Sequence, residues 1–139
     1  MKINKLSTLN DWPALITRLT VGFVFAYGAW SKFQNINDVI TQFNQTGFPF
    51  VAPLTYLVCT IELGAGLLLL IGLLTRWVVL PLIIIEAIAA FTVKAHLMTS
   101  LATALNLTEF LYIWLFVWIF VYGPGRYSVD HWREKRRLK

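Results

Sequence analysis

Two carboxylates stand inside apolar runs that otherwise exclude charge. Glu62 lies near the centre of the stretch 53–76, PLTYLVCTIELGAGLLLLIGLLTR, and Glu86 near the centre of the apolar run that follows. About 20 apolar residues match a hydrocarbon core of roughly 30 Å. An ionised carboxylate at mid-depth costs on the order of 2.5–3.5 kcal/mol on insertion scales. A helix that keeps such a residue must turn it toward other helices and give it a partner. Arg18, inside the first apolar run, is the candidate, because a guanidinium stays charged and must itself meet an acid. The axial gap from Arg18 to the acids is about 10 Å at 1.5 Å per residue, which a long arginine nearly covers. Arg18, Glu62 and Glu86 are therefore expected to line one internal polar pocket. Two acids with one arginine leave one acid without a cation, and a neutral carboxyl there can donate a hydrogen bond to a carbonyl. The group reads as a structural bridge that sets helix register, or as a protonatable pair beside a cofactor or proton path. The residues leave both readings open.

A second polar set, Lys32, Lys94, His96 and Glu109, stands at the far ends of the apolar runs. Such charges can simply snorkel to water. Alternatively they form a polar mouth over the bundle, able to bind an anion or a polar head group, with His96 as its one imidazole. No metal site is expected. His96 and His131 fall on opposite sides of the membrane, and one Cys excludes a CxxC couple or a self-contained iron–sulfur cluster. No residue can be assigned a catalytic role. The aromatics of the last apolar run, Phe110 to Tyr122, read as packing or as a wall on which a quinone stacks.

The elements that must position these residues follow from composition and patterning. Of 139 residues 58% are hydrophobic and 14% are charged, against the usual 45–50% and about 25% of a soluble domain. The expectation is an all-α integral membrane four-helix bundle with spans at about 13–33, 53–75, 77–97 and 107–123. Residues 1–12 precede it as a short polar segment and residues 124–139 follow as a basic, soluble tail. A cleaved leader is not expected, since Arg18 interrupts the first run and no A-x-A site follows. The polar stretch 34–52 holds a short interfacial helix and a break at Gly47-Phe48-Pro49. On the first span, Arg18, Gly22, Phe25, Ala29 and Lys32 lie within about 40° of one line at 100° per residue. On the second, Glu62, Gly66 and Leu69 share a face. Gly22 and Gly66 are therefore the expected helix-packing positions, where backbones approach closely. With four spans, Lys2, Lys5, Arg76, Arg126, Arg133, Lys135, Arg136, Arg137 and Lys139 share one side, and Lys32 and Lys94 the other. This bias predicts N-in/C-in topology, with both termini cytoplasmic in a bacterial inner membrane. The net charge of +5 then serves orientation and anionic lipid, not nucleic acid.

Several short motifs occur in a set order: Arg18-Leu19-x-x-Gly22, Lys32-Phe33, Gly47-Phe48-Pro49, Glu62-Leu63-x-x-Gly66, Gly72-Leu73-x-Thr75-Arg76 and Gly123-Pro124-Gly125-Arg126-Tyr127-Ser128-x-Asp130. Together the chain resembles the DoxX family of small bacterial four-helix membrane proteins. The resemblance implies the membrane part of a redox or oxidative-stress system, with a non-covalently bound quinone as cofactor and a soluble redox partner. A homo-oligomer is compatible with it. The competing expectation is a non-catalytic scaffold whose buried charges fix helix packing and whose tail recruits partners.

Overall fold

The computed structural model describes residues 11–92 and 94–137. Among them the chain forms helices and no strand. In order these are α1 (Asp11–Gln34), α2 (Ile36–Asn44), α3 (Val51–Ile71), α4 (Thr75–Thr92), α5 (Leu101–Leu105), α6 (Thr108–Tyr122) and α7 (Val129–Arg137), with a 3-10 turn at Ala95–Leu97. Helices α1, α3 and α4 are long and apolar enough to cross a membrane. At 15 residues, α6 is shorter, about 22 Å against a hydrocarbon core of roughly 30 Å. The third apolar run stops being α-helical at Thr92 instead of about residue 97.

The long helices form a ring in which α1 packs on α3, α3 on α4, α4 on α6 and α6 on α1. The α1–α3 and α4–α6 contacts are extensive, and the other two seams are sparser. Asp11 pairs with Arg126 at 3.5 Å, and the rings of Trp12 and Tyr127 lie 5.6 Å apart. The start of α1 and the segment after α6 therefore meet at one end of the bundle, here the terminal end. Helices α2 and α5 lie at the other, the loop end. Lys2, Lys5 and Lys139 lie outside the described residues.

The α1–α3 seam depends on the expected glycines. A Cβ on Gly66 would fall 2.5 Å from the Ala26 nitrogen, and one on Gly22 would fall 3.0 Å from the Gly66 carbonyl oxygen. Lipid tails are as apolar as a helix surface, so backbone proximity and packing hold such pairs together. Val21, Phe25, Leu69, Val79, Leu82, Phe116 and Ile119 fill the centre. Phe25 meets Tyr112 and Phe116 edge-on, at 5.1 and 5.0 Å. One side of the aromatic α6 is thus core, while Trp114 and Val121 stay exposed on the other, facing lipid in a membrane.

The terminal end is tied by a clasp. Gly72 closes α3 at φ +72°, and a Cβ there would fall 2.5 Å from Arg18 Nη1. Arg18 donates to the carbonyls of Pro124 and Tyr127, both at 2.7 Å. Asp130 accepts from the N–H groups of Leu74 and Thr75 at 2.8 and 2.9 Å, satisfying donors at the start of α4 and complementing its dipole. The Asp130 N–H donates in turn to the Gly72 carbonyl at 3.0 Å. The basic tail expected from the sequence folds back on the α3–α4 turn and continues as α7.

Candidate functional site

From the turn at Gly72, α3 and α4 run toward the loop end and carry one mid-helix acid each. Glu62 is 2% exposed. Its two oxygens accept from Lys32 Nζ at 2.8 and 2.6 Å, the lysine reaching in from the last turn of α1 with a side chain 41% exposed. Lys94, just past α4, pairs with Glu109 of α6 at 2.5 Å. Glu109 Oε2 is buried without a hydrogen-bond partner among the described residues. Glu86 is 8% exposed. Among the described residues its carboxyl makes no hydrogen bond and no ion pair, although Lys32, Glu62, Lys94 and Glu109 are all within electrostatic reach.

The expected pocket is corrected in one member. Arg18 meets neither acid. It stands level with Gly72, and Glu62 lies ten residues away along α3, about 15 Å at 1.5 Å per residue. The cation in place is Lys32, about one helical turn from the level of Glu62 and on the same face of α1 as Arg18. The expected pocket and the expected mouth are thus one cluster, Lys32, Glu62, Glu86, Lys94 and Glu109. His96 is not part of it. Beyond Thr92 the chain leaves the helix, so residue 96 no longer follows the face of Glu86 and is exposed on the 3-10 turn.

Above Glu62, Glu86 and Glu109 opens a cavity of about 650 Å³, held between the N-terminal half of α3 and the C-terminal half of α4. Phe43 of α2 and Phe48, Pro49 and Phe50 of the following loop cover its loop end, and Val58 and Ile85 are among its apolar walls. Sequence reading noted the Gly47-Phe48-Pro49 break but not these aromatics as lining. The available signal was a cluster of Phe residues between an amphipathic helix and a span. The result is a long apolar crevice with a charged floor, offering one uncommitted carboxyl as hydrogen-bond donor or acceptor. Such a space suits an amphiphile with an apolar body and a carbonyl or hydroxyl head. Among the described residues, no group of three or more His, Cys, Asp and Glu could hold a metal ion.

The DoxX family model matches residues 14–95. A protein of Escherichia coli (strain K12) named "Inner membrane protein YqjF" is 25% identical over 132 residues, 94% of this chain and 99% of that one. A protein of Bacillus subtilis (strain 168) named "Putative oxidoreductase CatD" is 34% identical over 111 residues, 70% of this chain and 81% of that one. No solved structure matches the chain.

Proposed function

The chain belongs to the DoxX family, and from that premise we propose a bacterial inner-membrane protein whose crevice takes a lipid-soluble quinone in support of redox chemistry. The membrane helices and the name of the E. coli relative support the compartment. The name of the B. subtilis relative supports the redox assignment. The observation that carries the reading is Glu86, a buried carboxyl without a partner among the described residues, at the floor of an apolar crevice. The Lys32–Glu62 pair neutralises itself and holds the floor. Glu86 is left to hydrogen-bond a ring oxygen and to give or take its proton. A lone Cys59, buried in α3, cannot cycle between dithiol and disulfide within one chain, so we assign electron delivery to a soluble redox partner. The Lys and Arg bias supports a cytoplasmic terminal end, and with it a partner on that side.

The test is mass spectrometry of lipid extracted from the purified protein, with Glu86→Gln beside the wild type. Quinone enriched over the parent membrane and depleted at least tenfold in Glu86→Gln, with the bundle intact, is the expected result. Equal quinone in both proteins, or none in either, overturns the reading. The second reading, a scaffold, is favoured by the Lys32–Glu62 pair and the Arg18 clasp, which bolt helices together. It predicts that Glu86→Gln leaves every membrane-linked activity unchanged.

A further inference from the structure

The same acids line a second space. Across the bundle from the large cavity, on the other sparse seam, a crevice of about 240 Å³ opens between α1 and α6. Gly28 and Lys32 border it on α1, and Thr108, Glu109 and Tyr112 on α6. Glu62 and Glu86 form its inner wall, so Lys32, Glu62, Glu86 and Glu109 face both spaces at once. The two differ in lining. The large one is walled mainly by Phe, Leu, Ile and Pro, whereas the small one, beside Val24, Phe25 and Ala29, meets Tyr112 and exposed Thr108 near the loop end. The uncommitted carboxyl of Glu86 and the one unpartnered oxygen of Glu109, Oε2, lie in the partition between them.

We propose that the α1–α6 crevice is an aqueous port through which Glu86 exchanges protons with the loop-end face of the membrane, by way of Glu109. In the transfer, the Glu86 O–H bond breaks as an O–H bond forms on Glu109, directly or through a water in the crevice. Glu109 then releases the proton to water, and the reverse sequence loads Glu86. No electrons move. The groups facing Glu86 are Lys32 from α1, Glu62 from α3, Glu109 from α6 and Lys94 after α4. Lys32 and Lys94 each pair with one carboxylate, which leaves Glu86 and the free oxygen of Glu109 as the exchangeable pair. The proposal deepens the quinone reading and rests on it only for what the proton serves. Water entry from the α1–α6 side, and lipid entry from the α3–α4 side, keep the two media apart.

Cysteine labelling in membrane vesicles tests the port whatever the ligand. In a Cys59→Ala background, Gly28→Cys reacts with a charged, membrane-impermeant methanethiosulfonate. A Cβ at Gly28 meets nothing within 4 Å, so the substitution fits. Leu57→Cys, in the wall of the large cavity and nearer the loop end, reacts at least tenfold more slowly. If Gly28→Cys is no faster than Leu57→Cys, there is no port on that side. Infrared spectroscopy tests the route. The protonated-carboxyl band that disappears in Glu86→Gln shifts on transfer to heavy water, and Glu109→Gln slows that shift at least tenfold. An unchanged rate, or no such band at any pH from about 5 to 9, overturns the route. Quinone retention is not read in either experiment, so loss of the quinone reading leaves both results interpretable.

Discussion

At the scale of single residues, the site is a matter of which charges are committed. Lys32 and Glu62 are mutually satisfied, Lys94 and Glu109 partly so, and Glu86 has no partner among the described residues. Removing one member of a buried pair costs more than removing both, because the survivor stays desolvated and uncompensated. Lys32→Met strands Glu62 at 2% exposure. It is expected to destabilise the bundle by about 3 kcal/mol, the low end for a broken buried pair because the lysine is partly exposed. Adding Glu62→Gln should recover about half of that. Thermal unfolding in detergent micelles measures both. A double variant less stable than Lys32→Met alone would show that the pair is not the source of the cost.

At the scale of elements, two contacts set the frame that holds those residues. One is the α1–α3 crossing. Gly66→Ala pushes a methyl against the α1 backbone at Ala26 and should cost about 2 kcal/mol, as overpacking of a tight contact does. Gly64→Ala on the same helix meets nothing within 4 Å and should be neutral or slightly stabilising, since alanine favours helix over glycine. Equal melting temperatures for the two variants would contradict the crossing. The other contact is the clasp. Arg18→Gln deletes two charge-assisted bonds to carbonyls, together about 3 kcal/mol of local stability. The expected outcome is faster tryptic cleavage within the basic α7, while the Lys32–Glu62 end of the bundle is untouched. Protection of α7 equal to wild type would mean that Asp130 alone anchors it.

At the scale of the whole molecule, four alternating helices bring the start of α1, the Gly72 turn and the segment before α7 to one end. The polar cluster opens toward the other. The clasped end collects most of the Arg and Lys, and positive charge resists translocation. Reporter fusions at either terminus are therefore expected to be active only as cytoplasmic reporters. A periplasmically active alkaline phosphatase fusion at the C-terminus would invert the topology. The inversion would also move the loop-end port to the cytoplasmic side.

The sequence by itself determined the helical membrane bundle, the family, the two mid-helix acids and the close-packing glycines. These are local properties. Run length, hydropathy, a charge inside an apolar stretch and a small residue on its face are each set by composition and the period of one helix. Only the tertiary structure decided who pairs with whom. Arg18 and Lys32 lie on one face of α1 as equal claimants on Glu62. The choice depends on how far α3 slides against α1, and that slide is set where Gly66 meets Ala26 and where Gly72 meets Arg18. With that register in place, Arg18 finds backbone carbonyls more than 100 residues on in the chain, and Lys32 closes on Glu62. The two crevices are tertiary as well, since they arise where sparse seams of the ring fail to close. Helical spacing within one segment cannot report the distance between two segments.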